Sequence, residues 1–499
     1  MGIRWIYGRQ DWKTLERGQE NCYLMTNGLG GFSSLTLTGS AARNDHAFLM
    51  ACTQAPNNRY NIIHRLSEML EMKSDGDIRD YRLSSQEFAD GTQEEGYRYL
   101  TEFSYEDTPV WRYLVNGVEI EKEAAVRQNE NTISVCYRVK NRSRCEACLS
   151  VTPFYQFCPK GEEPAADCRI SYLSKKDGRM SCMESAGMKL YCMTDGCNEK
   201  MPETEEKYSA IYSPEGKGTE EAGNTGKLAE TVIEELKESR RMLEDQSGLR
   251  DDTARCLVKS ARQFISQRES TGKETILAGF PFFEDWGRDT MIALPGVCLS
   301  TKRFDDAASI LRTFARYERN GLMPNLFPEG KSEPMYNTAD AALLFINCVW
   351  LYYKASGDEK MIEEMYPVME RIINFYMNGT DYDIRMDSDG LITAGSGMDQ
   401  VTWMDVRVGE ILPTPRHGKP VEINAYWYNA LRIMAECAWM LRRGAAEDPG
   451  IRYEAAAEQT KQSFTEKFWM EDKHCLKDVL SGTKADCQIR CNQIWAVSA

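Results

Sequence analysis

The sequence predicts a multidomain β plus α protein in which an antiparallel β-sandwich precedes a domain of paired α-helices. Three observations support this fold class. The chain of 499 residues is too long for one ordinary hydrophobic core. Its hydrophobic pattern alternates before residue 225 and takes a helical period after it. Turn signals separate the short apolar runs of the first part, as is typical of antiparallel strands.

Five runs in the first part have the composition of strands. Asn116-Gly117 separates the two halves of one run and predicts a hairpin turn, because this pair readily adopts positive φ angles. Regularly spaced runs of this kind favour a sandwich of roughly two hundred residues. The runs are LTLTG (35–39), AFLMAC (47–52), YRYLTEFSY (97–105), VWRYLVNGVEIEKEAAV (110–126) and TISVCYRVKN (132–141).

Apolar residues recur at i, i+3 and i+4 in the second part, which predicts a series of helices. Asn337 and Thr338 are the predicted cap of one of them, with Asp340 in its first turn. Paired helices joined by loops favour a toroid or solenoid of α-hairpins. The predicted helices cover residues 228–245, 251–269, 303–319, 338–356, 358–379, 422–443 and 454–469.

The segment 214–227 is rich in glycine, glutamate and threonine and is the predicted linker or exposed loop between the two parts. We therefore expect a β-sandwich domain over residues 1–225, a linker and connecting helix over 226–250, and a helical domain over 251–499. Three long loops in the helical part are rich in aromatic residues and carboxylates, so functional groups are expected where they meet. These loops cover residues 270–287, 320–337 and 380–421.

The composition disfavours several classes of function. The net charge is −15 without a dense cluster of lysine and arginine, so neither nucleic acid nor an anionic membrane is an expected partner. No run approaches the ~20 apolar residues of a membrane span, and no signal peptide is visible. The four histidines lack metal-binding spacing, so no metal or cofactor is predicted. Seventeen cysteines favour free thiols in the cytoplasm over a disulfide framework. The oligomeric state is left open.

Two loop segments carry residue types that suit a sugar pocket. GFPFFEDWGRDTMIALPG (279–296) contains Trp286, Arg288 and Asp289. An aromatic ring can cover the apolar face of a pyranose while charged groups bond vicinal hydroxyls. GLMPNLFPEGKSEPMYNTADA (321–341) contains Asn337 and Asp340. Ordinary packing and helix capping remain open as interpretations of both segments.

A third segment, residues 395–431, places carboxylates beside aromatic side chains. Glycoside hydrolysis needs two carboxyl groups, one of them protonated so that the leaving oxygen can depart. A neighbouring tryptophan can desolvate a carboxyl group and favour its protonated form. Asp405, two residues after Trp403, suits that role. Residue spacing alone does not choose among Asp405, Glu410 and Glu422.

Together these segments resemble the glucosidase half of the glycogen debranching enzymes, the amylo-α-1,6-glucosidase family with an (α/α)6 barrel of the six-hairpin glycosidase type. The matching stretches are GFPFFEDWGRDTMIALPG, GLMPNLFPEGKSEPMYNTADAALLFI, TWMD, GEILPTPRHGKPVEINAYWYNAL and RCNQIWAVS. NCYLMTNGLGGFSSLTLTGSAARNDHAFLMA resembles the N-terminal β-domain of the bacterial and archaeal-type members. Residues 43–47 depart from that domain's usual motif, so His46 is interpreted as an ordinary β-edge histidine.

The resemblance implies roles for individual residues. Asp405 matches the general acid, while Arg288 and Asp289 match residues that hold the non-reducing glucose. The remaining implied pocket residues are Trp286, Asn337, Asp340, Trp403 and Glu422. No residue matches the general base, which lies on a late barrel loop in the family. We therefore expect an incomplete barrel, with the base beyond Ala499.

The resemblance further implies an inverting hydrolase that cleaves α-1,6-linked glucose stubs of glycogen, limit dextrin or a related α-glucan. It implies no metal or organic cofactor. Two alternatives stay open at this level. One is another six-hairpin glycosidase, trehalase-like or specific for another oligosaccharide. The other is a glucan-binding scaffold without catalytic activity.

Overall fold

The protein forms two compact units, Met1–Gly272 and Lys273–Ala499. The computed structural model describes residues 3–74, 77–88, 90–164, 171–176, 180–193, 211–215, 229–327, 333–441 and 448–498. Most of the predicted linker at 214–227 lies outside these residues. Among the helices that the model describes, none has the length and apolar character needed to cross a membrane.

Antiparallel strands form most of the first unit, as predicted. They are β1 (Trp5–Gly8), β2 (Met25–Thr26), β3 (Phe32–Ser34), β4 (Ala47–Gln54), β5 (Asn58–Ser74), β6 (Asp77–Arg82), β7 (Ser85–Glu87), β8 (Gln93–Glu95), β9 (Leu100–Tyr105), β10 (Pro109–Val115), β11 (Val118–Val126), β12 (Ile133–Asn141), β13 (Glu146–Pro159), β14 (Ser171–Lys176), β15 (Met180–Ser185), β16 (Met188–Met193) and β17 (Ile211–Glu215). A short helix, α1 (Leu15–Gly18), follows β1. One sheet has the order β1-β9-β10-β11-β12-β17-β16-β15-β14, and the other β13-β5-β4-β3-β2 with β6 on β5.

The two sheets share one hydrophobic core, the packing expected of a β-sandwich. Trp111 of β10 is buried in this core and donates from its indole nitrogen to the carbonyl of Leu37 at 2.9 Å. Lys122 of β11 and Glu68 of β5 form a buried ion pair at 2.6 Å. The Asn116-Gly117 hairpin is confirmed, with φ angles of 45° and 87°.

One predicted strand is wrong. In LTLTG (35–39), Thr36 makes only an isolated bridge to Cys22, and the chain then turns. The hydroxyls explain the difference, because Thr36 Oγ1 lies 2.7 Å from Ser40 Oγ and accepts from the Ser40 amide at 3.0 Å. Such bonds offer the backbone an alternative to a strand ladder.

Two helices continue the first unit beyond its strands. In α2 (Ala229–Ser247), the buried residues Val232 and Ile233 join the sandwich core. In α3 (Asp252–Arg262), Lys259 bonds Asp107 at 2.9 Å and Glu244 of α2 at 3.0 Å. This packing places the division between units after residue 272 and not at the predicted boundary of 250–251. The helix predicted over 251–269 ends early and is followed by strand β18 (Ile265–Arg268).

The second unit is mainly helical. Its helices are α4 (Gly287–Leu294), α5 (Phe304–Arg316), α6 (Ala341–Ser356), α7 (Glu359–Asn378), α8 (Val421–Leu441), α9 (Pro449–Phe468) and α10 (Trp495–Ser498). A π-helical turn, Pro295–Leu299, extends α4. Short strands lie between helices: β19 (Lys273–Ile276), β20 (Arg385–Met386), β21 (Ile392–Thr393), β22 (Lys419–Pro420), β23 (Trp469–Met470), β24 (Cys475–Leu476), β25 (Val479–Ser481) and β26 (Lys484–Asp486).

His46 of the first unit is buried and does not lie at a sheet edge. It stands in the turn before β4, an interior strand, and its side chain is 2% exposed. Its Nδ1 accepts a hydrogen bond from the amide of Ala42 at 3.1 Å, which requires that nitrogen to be unprotonated. Burial and the nearby charge of Arg43 lower the pKa of His46 to about 4.

This lowered pKa predicts acid sensitivity of the first unit. The unfolded chain takes up a proton near pH 6.5 and the folded chain only near pH 4, so stability is present above pH 6.5 and is lost as pH falls towards 4. Between pH 7 and pH 5 we expect His46 to account for about 2 kcal/mol of lost unfolding free energy. Urea titrations should therefore show a smaller pH dependence for His46→Gln than for the wild type. The exposed His474→Gln variant should keep the wild-type dependence; an unchanged slope in His46→Gln would contradict the assignment.

Candidate functional site

A cavity of about 530 Å³ opens in the second unit between the loops that precede its helices. It contains seven of the eight residues predicted for the site. They are Trp286, Arg288, Asp289, Asp340, Trp403, Asp405 and Glu422. These residues come from three segments far apart in the sequence, and the fold brings them to one place. Of the three long loops, 270–287 and 380–421 contribute lining residues, and the described residues of loop 320–337 contribute none.

Asn337 is the predicted residue that does not line the cavity. Its side-chain oxygen Oδ1 instead accepts a hydrogen bond from Asn325 Nδ2 at 3.4 Å. The predicted cap is also different, because α6 begins at Ala341 and Asp340 occupies the N-cap position without a capping hydrogen bond. The carboxylate of Asp340 is held by Arg288 instead.

The residues at the start of α4 form one wall of the cavity. Trp286 bridges Leu326, and the amide of Gly287 donates to the carbonyl of Asn325 at 2.8 Å. A Cβ on Gly287 would lie 1.8 Å from the carbonyl oxygen of Pro324, so only glycine allows this close approach. The following residue, Arg288, is thereby directed into the cavity from the first turn of the helix.

Arg288 is the centre of a charged cluster at the cavity wall. It donates from Nε to Asp340 at 2.7 Å, from Nη1 to Asp405 at 3.3 Å and from Nη2 to Thr338 at 3.1 Å. Thr338 also donates to the second oxygen of Asp340. Burial alone would lower the pKa of Arg288, but the two ion pairs raise it above its ordinary value. The cluster holds a fixed positive charge beside two carboxylates.

Glu422 belongs to a second, deeper cluster. Arg416 forms a two-pronged ion pair with Glu422, with one bond of 2.6 Å, and contacts Asp478 at 2.9 Å. All three side chains are 1% exposed. Burial raises the pKa of Glu422, and the pairing with Arg416 opposes that effect. Because its oxygens are already occupied, Glu422 is poorly placed to give a proton to a ligand.

Of the three candidates that spacing left open, Asp405 is the one that both lines the cavity and keeps a partly exposed carboxylate. Its side chain is 34% exposed at the cavity, and one oxygen accepts from Arg288. Trp403, which the sequence predicted to desolvate this carboxyl group, also lines the cavity and is itself 44% exposed. Glu410 is exposed and is not among the residues that line the cavity.

Asp289 also faces the cavity, in the first turn of α4. The residue is exposed, yet surrounding protein atoms desolvate its carboxyl group and raise its pKa, even though Arg288 is its neighbour. A carboxyl group at a helix N-terminus is a suitable partner for sugar hydroxyls, because it can accept hydrogen bonds from them. Ligand binding by Asp289 stays a prediction.

Sequence reasoning missed several lining residues. They are Ala278, Phe283, Ile292, Leu344, Tyr426 and Trp495. Helical spacing would have found three of them, because Ile292, Leu344 and Tyr426 lie one turn after Asp289, Asp340 and Glu422 respectively. The rings of Tyr426 and Trp495 meet with centroids 5.5 Å apart and add an aromatic wall.

Comparisons with known proteins identify the family to which the chain is similar. Residues 259–499 match the family model described as amylo-alpha-1,6-glucosidase, and residues 21–222 match glycogen debranching enzyme N terminal. The glycogen debranching enzyme of Saccharomyces cerevisiae is 30% identical over 247 residues, which covers 36% of this chain and 16% of the yeast protein. An α-L-rhamnosidase of Formosa agariphila is 27% identical over 150 residues, covering 30% of this chain and 14% of that protein.

A crystal structure of a bacterial glucoamylase complexed with acarbose has a similar fold, with a TM-score of 0.54. It is 10% identical in sequence, and the match covers 98% of this chain and 72% of the glucoamylase chain. The six-hairpin glycosidase fold expected from the sequence is thus supported. Since the two family models together account for most of both units, the chain belongs to the glycogen debranching enzyme family.

Proposed function

We propose that this protein is an inverting glycoside hydrolase that releases glucose from α-1,6-linked branch stubs of glycogen, limit dextrin or a related α-glucan. The carrying observation is the position of Asp405. Its carboxylate is partly exposed, at 34%, in a cavity that also holds Trp403 and the Arg288–Asp340 pair. The family membership supports an α-glucan as substrate.

In this proposal four cavity residues have defined tasks. Trp403 stacks on the apolar face of the terminal glucose. Arg288 and Asp289 bond its hydroxyls. Asp405 transfers its proton to the glycosidic oxygen as the bond from that oxygen to C1 breaks. A water molecule then forms the new bond to C1 from the opposite face and loses its proton to a second carboxylate, the general base that no residue of this sequence matches, so the glucose leaves as the β-anomer.

The experiment is an assay of glucose release from phosphorylase limit dextrin, with proton NMR to identify the first anomer. The proposal expects β-glucose as the first product. Trehalose and maltose serve as competing substrates, since preference for either would favour the alternative of another six-hairpin glycosidase. The match to an α-L-rhamnosidase makes an aryl α-L-rhamnoside a useful third comparison. Glucan binding without any hydrolysis would favour the scaffold, and initial release of α-glucose would contradict inversion.

A further inference from the structure

A chain of hydrogen bonds connects two walls of the cavity. Trp403 donates from its indole nitrogen to Asn492 Oδ1 at 2.7 Å, and Asn492 Nδ2 donates to Asp478 Oδ1 at 2.7 Å. Asp478 accepts from Arg416, which pairs with Glu422. Trp403 and Glu422 line the cavity, whereas Asn492, Asp478 and Arg416 lie behind it and are almost fully buried. We call these five residues the polar brace.

The backbone conformation of Arg416 indicates that the hydrogen bonds of the polar brace hold this residue in one conformation. Its φ angle is 49°, in the left-handed region that a long side chain rarely adopts. Such a conformation costs free energy and persists where surrounding bonds hold it. Here Nε, Nη1 and Nη2 of Arg416 all donate to carboxylates.

Asn492 uses its amide group at both ends within this brace. Its oxygen accepts from Trp403 and its nitrogen donates to Asp478, so the amide orientation is determined on both sides. Trp403 is 44% exposed, so packing restrains only part of its ring. The bond to Asn492 therefore supplies a directional restraint that apolar contacts lack.

We infer that Asn492 is a positioning residue that fixes the plane of the Trp403 ring as a platform for an α-glucan ligand. The ligand part of this inference rests on the proposed function. Asn492 acts through Trp403 and does not itself line the cavity. Its substitution should therefore weaken ligand binding only while Trp403 is present.

Asn492→Ala is a usable test because the brace keeps its charges paired without it. Asp478 still contacts Arg416 at 2.9 Å and Arg490 at 2.7 Å. The indole nitrogen of Trp403 belongs to a partly exposed side chain, so water can reach the residue after the substitution. The matched control is Gln493→Ala in the same turn, where Gln493 accepts from the amide of Leu476 at 3.1 Å and has no bond to Trp403.

The experiment combines calorimetric titration of the full chain with acarbose and NMR of 15N-labelled indole groups. Trp403→Phe identifies the Trp403 resonance by its disappearance. We expect Asn492→Ala to shift that resonance and to weaken acarbose binding about three- to tenfold, the equivalent of one lost hydrogen bond. In the Trp403→Phe background the same substitution should have no further effect, whereas any effect of Gln493→Ala should persist.

Each outcome decides a separate point. An unshifted indole resonance in Asn492→Ala, or an equal loss of affinity with and without Trp403, would overturn the inference. A shifted resonance in a protein that never binds acarbose would support the orientation of Trp403 by Asn492, and would count against the proposed function and the platform role.

Discussion

Asp405→Asn is expected to reduce hydrolysis of α-1,6-glucosides about a thousandfold while leaving acarbose affinity within about threefold, since general acid catalysis contributes 10²–10⁴ in rate. The asparagine keeps the shape and the contact with Arg288 but has no proton of suitable acidity to give. The reduction should appear in kcat with little change in KM. Glucose release from limit dextrin, followed at several substrate concentrations, provides the measurement.

The leaving group offers a sharper test of the same role. Fluoride departs from α-glucosyl fluoride without being protonated, so a variant that lacks only the acid should keep most of its activity on this substrate. Loss of activity on both substrates would indicate a role for Asp405 in nucleophile activation or in folding. Retained activity on the glucoside would exclude Asp405 as the acid.

Glu410→Gln is the matched control for this experiment. Glu410 lies five residues further along the same loop, is exposed and does not line the cavity. Neutralising it removes a nearby negative charge without touching the site. Both substrates should therefore be hydrolysed at wild-type rates, which separates the proton donated by Asp405 from the general charge of the loop.

The sequence predicted residues that line the cavity, but it did not predict the buried residues that lie behind it. Trp403 and Asp405 are two residues apart in a recognisable stretch, and their residue types indicate their chemistry. Arg416 and Asp478 are 62 residues apart, and nothing in residue spacing pairs them. The polar brace depends on tertiary contacts that bring a loop, a helix start and the segment after β26 together. Local pattern carries little information about such contacts.

The predictions of the fold also succeeded where the signal is local and failed where contacts outside the segment decide the structure. The hairpin at Asn116-Gly117 was predicted because the preference of this pair for positive φ angles is local. LTLTG was assigned to a strand because it alternates, but Thr36 and Ser40 use their hydroxyls on each other and on the backbone. The end of α3 at Arg262 was missed because residues 251–269 keep an amphipathic spacing through the strand β18.

Arg416→Met should strongly destabilise the second unit. It removes the ion-pair partner of Glu422 and one partner of Asp478. The side chains of Arg416, Glu422 and Asp478 are each 1% exposed, so the remaining carboxylates are shielded from water. Breaking a buried ion pair by removing one member typically costs about 3–5 kcal/mol. The left-handed backbone at residue 416, with φ of 49°, would also lose the bonds that hold it.

The pH dependence of this variant identifies the cause of its instability. Burial already raises the pKa of Glu422, and loss of Arg416 removes the charge that opposes this effect. The folded variant would then bind a proton at Glu422 at a higher pH than the unfolded chain does. Its stability deficit relative to the wild type should therefore be largest near neutral pH and should shrink as pH falls towards the ordinary glutamate pKa. A cavity alone would give a deficit independent of pH.

Two further variants complete this test. Arg416→Met combined with Glu422→Gln should recover part of the lost unfolding free energy at pH 7, because the second substitution removes an unpaired buried charge. Arg407→Met is the control, since Arg407 is exposed and bonds only to the carbonyl of Gly409 among the described residues. Urea unfolding at pH 7 and pH 5 measures all four proteins. If Arg416→Met were no less stable than Arg407→Met, the buried ion pairs would contribute little to the fold, and the brace would have to hold Trp403 through Asn492 alone.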